Sequence, residues 1–122
     1  LSRDDGRLMH SLLEQAGFPG IEAEGETLWA RLSASGPEFR ADPEGGAWIL
    51  TLLWPVRLDT ATLEAWNDQN PGAFLDLAGG ETRLRMGAET AADLDLWAKT
   101  AESMIQTCLS FRRRQRERGE GM

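Results

Sequence analysis

The sequence predicts an α+β domain, an antiparallel sheet of about five strands with the N- and C-terminal helices on one face. Three observations predict it. Segments of alternating apolar and polar residues, joined by glycine-rich turns, read as consecutive antiparallel strands. Both ends of the chain carry apolar residues at spacings of three and four, the period of a helix lying on a core. The breaks between elements are short, and none divides the chain. The predicted order is α-β-β-β-α-β-β-α. Residues 1–111 form a single domain, and residues 112–122 form an Arg-rich tail, disordered or a frayed helix end.

The first helix opens at Ser2-Arg3-Asp4-Asp5, a capping-box pattern. Its apolar stripe is Leu8, Met9, Leu12, Leu13 and Ala16. Gly17 is placed to end it, because a glycine accepts the left-handed conformation of a helix terminus. Phe18-Pro19-Gly20 is a turn, and Ile21 to Glu24 is an edge-strand candidate. Thr27 to Ser33 alternates clearly, with Leu28, Ala30 and Leu32 against Trp29 and Arg31.

Ser35-Gly36-Pro37 interrupts the pattern. Phe39 to Asp42 reads as a short strand, and Pro43-Glu44-Gly45-Gly46 as a turn. Ala47 to Trp54 is apolar on both faces, as expected of a central strand. Alternation puts Trp48, Leu50, Leu52 and Trp54 on one side, Ile49 and Leu53 on the other. Pro55 ends the strand.

Asp59 is a predicted N-cap, with Leu58 and Leu63 as a hydrophobic staple around it. The short helix stops near Asn70, before Pro71. Ala73 to Ala78 and Glu81 to Met86 then form a hairpin around Gly79-Gly80. Two glycines supply the positive φ values of a type I′ turn. A two-residue loop sets Asp76 opposite Arg83, Phe74 opposite Arg85 and Leu75 opposite Leu84. The last helix opens with Thr90-Ala91-Ala92-Asp93, a capping box with Asp in place of Glu. Leu94, Trp97, Ala98, Ala101, Ile105, Cys108 and Leu109 form its apolar stripe.

The chain has 122 residues and a formal net charge of −7. That charge is uneven. Residues 112–122 hold five arginines against two glutamates, about +3, which leaves about −10 for the rest. Such a body repels phosphate backbones, so nucleic acid is not the expected partner of the body. The single cysteine excludes an internal disulfide and fits a reducing, cytoplasmic setting. The longest apolar run, Ala47 to Val56, is too short to cross a bilayer, so no transmembrane segment is expected. The sequence begins at Leu1 rather than Met, which leaves open whether a leader was removed.

No stretch carries a catalytic constellation. One His and one Cys exclude zinc sites built from those residues. His10 is read as a surface or boundary residue, and Cys108 as a small buried hydrophobe. The acids follow no calcium-loop spacing, and neither glycine pair opens a helix in a phosphate-binding pattern. No cofactor or metal is expected. The Arg run lacks interleaved aromatic residues after Phe111, unlike a platform for single strands.

Five tryptophans in a chain without tyrosine are unusual. One layer of helices covers one face of a sheet. The other face should therefore meet another chain or a bound segment, unless the sheet curls enough to cover itself, because monomers rarely bare a large apolar patch. Trp48, Trp54, Trp66, Phe74, Arg83 and Arg85 are the predicted partner or dimer contacts.

Trp66-Asn67, Phe74-Leu75-Asp76-Leu77, the Gly-Gly turn and Leu84-Arg85-Met86, followed by a final amphipathic helix, resemble the YbjN family. Its members look like the small chaperones of type III secretion. The resemblance implies a non-enzymatic, bacterial domain that binds protein segments, often as a dimer, and it supplies no catalytic motif. The Arg-rich end departs from the family's mixed surface. The expectation is a chaperone-like or regulatory protein-binding domain, homodimeric, whose partner is a protein or an extended segment of another chain. Two alternatives are a regulatory domain whose Arg tail touches nucleic acid or an anionic surface, and a small-ligand domain with a Trp-lined pocket.

Overall fold

A computed structural model describes residues 3–118. Six antiparallel strands form one sheet in the order β1-β2-β3-β4-β6-β5. Strands β1 (Glu22–Glu24), β2 (Thr27–Arg31), β3 (Glu38–Glu44) and β4 (Ala47–Trp54) make a meander. Helix α2 (Thr60–Gln69) then carries the chain to the far edge. There β5 (Ala73–Ala78) turns back as β6 (Glu81–Ala88) and closes against β4. Helices α1 (Arg3–Gln15) and α3 (Ala91–Glu117) begin and end the described chain.

The α+β class holds. The sheet has one strand more than expected, giving α-β-β-β-β-α-β-β-α, because the weak Ile21–Glu24 segment pairs as β1. The third strand is also longer than its sequence implied. Glu44 pairs with Ala47, so the turn is Gly45-Gly46 alone, with φ of 59° and 86°. Pro43 belongs to β3, opposite Trp48. Next to a two-residue loop, that position falls between the hydrogen-bonded pairs of β3 and β4, so a missing N–H costs no bond to β4.

The helices gather on one face. Leu28, Ala30, Phe39, Ala41, Leu50 and Leu52 from the sheet meet Met9 and Leu13 of α1 and the inner stripe of α3. That stripe is Leu94, Trp97, Ala101, Met104, Ile105 and Cys108, continued by Phe111. Phe39 is its aromatic centre, edge-on to Phe18 at 5.1 Å and tilted to Trp97 at 5.4 Å between ring centroids. The Trp97 ring nitrogen has no hydrogen-bond partner among the described residues.

Three stripe expectations need correction, the exposed Ala16 among them. Leu8 is 59% exposed and Leu109 is 40% exposed. The α1 stripe is narrower than its leucines implied, because only Met9 and Leu13 are sealed against the sheet and α3. In α3 the burial shifts to Met104 and Phe111, which the spacing argument passed over.

The terminating signals act as the sequence implied. Gly17 takes φ of 88°; its N–H donates to Glu14 and that of Phe18 donates to Leu13. This is a Schellman closure. Asp59 accepts from the Thr62 amide at 2.9 Å. Thr90 and Asp93 form the reciprocal capping box. The capping box proposed around Ser2 lies outside the described residues. Helix α3 runs on through the arginines to Glu117, so residues 112–117 are helical, about 1.7 turns beyond Phe111.

Candidate functional site

Alternation sends half of each strand's side chains away from the helices. On that second face the register sets one row across the whole sheet: Glu22, Trp29, Arg40, Thr51, Arg85 and Phe74, each opposite the next. A neighbouring row runs Leu53, Arg83, Asp76. No described helix covers this face. Taking strand spacing and rise, it measures about 24 Å across six strands by about 20 Å along them.

Apolar and charged side chains alternate across it: Trp29 on β2, Ile49 and Leu53 on β4 and Phe74 on β5, with Arg40 on β3 and Arg83 and Arg85 on β6 between them. Leu53 is 47% exposed and Phe74 is 50% exposed, with Trp29 and Ile49 half-buried. Thr51 is buried although no helix lies over it, flanked in the ladder by Arg40 and Arg85. The charges are largely paired within the face. Arg83 grips Asp76 in a two-point contact, Nε to Oδ1 at 2.9 Å and Nη2 to Oδ2 at 2.6 Å. Arg85 reaches the same carboxylate at 3.2 Å. The hydrogen bonds from Arg83, and then the two positive charges, hold the Asp76 carboxyl below the usual range. Arg40 pairs with Asp42 at 3.0 Å, and Asp42 accepts from the Thr27 hydroxyl.

The structure divides the predicted contact residues. Phe74, Arg83 and Arg85 stand together on the helix-free face, in the register that the Gly79-Gly80 turn required. Trp48 and Trp66 do not. Trp48 is buried on the helix-covered face. Trp66 is 4% exposed, and its indole N–H donates to the Ser103 hydroxyl of α3 at 3.3 Å. Both are buried within the chain's own core, Trp48 also forming part of the lining of a cleft beneath α1. Trp54 is half-buried and packs against that core. The reason is general: the longest apolar side chains offer the most area to bury, so they go under the helices.

Trp29, Arg40 and Thr51 belong to the face but were not singled out from the sequence. The missed signal was Gly45-Gly46. Read as a two-residue loop, as Gly79-Gly80 was, it places Arg40 opposite Thr51.

Among the described residues, no three of His, Cys, Asp and Glu cluster to hold a metal. Cys108 is fully buried, and desolvation pushes its thiol up to about 11. His10 shares a contact with Glu14 at 3.0 Å on the surface of α1. No described helix is long and apolar enough to cross a membrane.

No protein-family model matches the chain, and no curated protein or solved structure does either.

Proposed function

We propose that this chain is a non-enzymatic protein-binding domain that pairs with a second copy of itself through the helix-free face of the sheet. One observation carries the reading: a six-stranded sheet with its helices all on one side, leaving uncovered on the other a central strip of Ile49 and Leu53 on β4, with Trp29 and Phe74 further out beyond the arginines of β3 and β6. That face is about 480 Å² in plan, the scale of the smaller interfaces that bury less than about 1,200 Å² in total. Its charges favour a copy over a strongly charged partner. Asp76 is satisfied by Arg83 and Arg85, and Asp42 by Arg40, so little charge is left calling for an external counterpart. A two-fold pairing also lets the central strip meet itself, which is how most small oligomers close.

The sheet edges support face-to-face rather than edge-to-edge pairing. β1 is three residues long and carries Glu22 and Glu24, which discourages strand addition. The β5 edge is occupied by α2, as described below. The resemblance to the YbjN family and to secretion chaperones adds the expectation of a chaperone-like or regulatory role on protein segments.

Dilution experiments followed by amide chemical shifts test the reading. Concentration-dependent shifts should fall on Thr51, Leu53, Arg83 and Arg85. Shifts confined to α1 and α3 would move the interface to the helical side and overturn it.

A second reading rests on the end of α3. Arg112, Arg113, Arg114 and Arg116 are all exposed on a helical segment that extends past the last buried residue, Phe111. That is a cationic rod suited to an acidic surface. Binding to DNA or anionic vesicles that weakens steeply with salt, and that disappears when these arginines become glutamines, would favour it.

A further inference from the structure

The helix-covered side of the molecule is not sealed everywhere. The first half of α1 stands over the turns of the β1–β2 and β3–β4 hairpins, and a cleft of about 610 Å³ lies between them. That volume is in the range of small-molecule sites. The cleft has a floor and two lips of different chemistry. Leu28, Pro43 and Trp48 form the apolar floor. Arg7, His10 and Ser11 form one lip, on a single helix face because they are spaced by three and four residues. Gly25 and Glu26, the β1–β2 turn, form the other.

We propose that this cleft binds a small carboxylic acid with a flat apolar body, the body on Trp48 and Leu28 and the carboxylate on Arg7 and Ser11. Four features carry the assignment. Arg7 makes no ion pair among the described residues, whereas Arg40, Arg83 and Arg85 on the sheet all do. A guanidinium presents a planar fork that matches a carboxylate, and the Ser11 hydroxyl one turn on adds a further donor. Glu26 on the facing lip disfavours a second negative charge, so the ligand is a monoanion and not a phosphate ester. Finally, Gly6 lines the cleft without any packing reason to be glycine. A Cβ built there meets no atom within 4 Å, and its φ is not in the left-handed region. Glycine weakens a helix, and here its missing side chain keeps the mouth of the cleft open.

The site is separate from the sheet face, so its fate does not decide the dimer. The test uses 2-naphthoate as probe and 2-naphthamide as its neutral twin, titrated into the full chain and followed by amide and indole N–H shifts. The expected result is saturable binding of naphthoate, with the largest shifts at Gly6, Ser11, Gly25, Leu28 and the Trp48 indole. Naphthamide should bind at least ten-fold more weakly. Arg7→Gln should bring naphthoate down to the level of naphthamide. Gly6→Leu should abolish binding of both while leaving the unfolding temperature equal or higher, because a side chain fits there and suits the helix. No saturable shifts, equal binding of acid and amide, or undiminished naphthoate binding by Gly6→Leu would each overturn the assignment.

Discussion

The side-chain amide of Asn67 pairs with both backbone groups of Leu75. Its oxygen accepts from the Leu75 N–H at 2.7 Å, and its nitrogen donates to the Leu75 carbonyl at 3.0 Å. Leu75 lies opposite Leu84 at a position where an antiparallel strand turns its N–H and C=O outward. Helix α2 thus uses one residue to imitate the strand that β5 lacks. The Ala73 N–H is taken as well, by the Asn70 carbonyl at 3.2 Å. An edge protected this way offers another strand fewer free backbone groups to pair with.

Asn67→Ala should therefore cost about 1–3 kcal/mol, the penalty for leaving half-buried backbone groups unpaired. Asn67→Asp should be worse at neutral pH, since a carboxylate accepts from the Leu75 N–H but repels its carbonyl. Urea unfolding measures both. A cost near zero for Asn67→Ala would show that water or a shifted backbone replaces the pair.

Thr82 ties the linker after β4 to the sheet. Its hydroxyl donates to the Val56 carbonyl at 2.6 Å and accepts from the Leu58 N–H at 3.2 Å. It is fully buried on the helix-covered face. Thr82→Val keeps the shape and removes both bonds, so it should lose about 1–3 kcal/mol. Thr82→Ser, which keeps the hydroxyl, should lose less. The comparison of midpoints in one denaturant series decides between packing and hydrogen bonding.

The hairpins show how far the sequence could be read. Glycine pairs and alternation are local signals, and at Gly79-Gly80 they yielded the register down to Asp76 opposite Arg83. The caps at Asp59 and Thr90 were equally legible, because each is settled within four residues. What the sequence concealed was which face the helices take. Trp48 and Trp54 share one side of β4 and Ile49 and Leu53 the other, and both sides read as apolar. Their neighbours across the sheet decide the matter: Trp48 faces Ala88 and Pro43, whereas Ile49 faces Asp42 and Gly87. That information is spread over strands far apart in sequence. The cleft under α1 was hidden for the same reason, since its walls come from α1 and from all four strands of the meander.

Cys108 should resist modification in the native state. Its thiol lies 3.6 Å from the Met104 sulfur, fully buried, and its pKa is raised to about 11 from an ordinary value of 9.0. A thiol that holds its proton more tightly when folded contributes stability that is complete below pH 9 and lost as pH rises towards 11. Cys108→Ala should flatten the fall of stability across that window. Native labelling by a disulfide reagent at pH 8 should run at the rate of unfolding; labelling at the rate of a free peptide would show the helix packing to be open.

The capped and paired carboxylates set the acid side. Backbone amides of Glu89 and Thr90 hold Asp93 below the usual carboxyl range, and the Thr62 contact does the same for Asp59. Groups with lowered pKa values in the fold contribute stability above the unfolded value of 3.8, and lose it as pH falls through their folded values. Asp93→Asn should therefore reduce the difference in stability between pH 6 and pH 3. Thr90→Ala should cost about 1 kcal/mol at either pH, because it removes a neutral cap.

Mass in solution tests the central claim most directly. Light scattering coupled to size exclusion, run over a concentration series, should give twice the 13.5 kDa of one chain for the wild type. Leu53→Glu and Phe74→Glu alter exposed side chains of the helix-free face and should give folded protein at the mass of one chain. A wild type that stays at 13.5 kDa up to millimolar concentration, or a dimer that survives both substitutions together, would contradict the account.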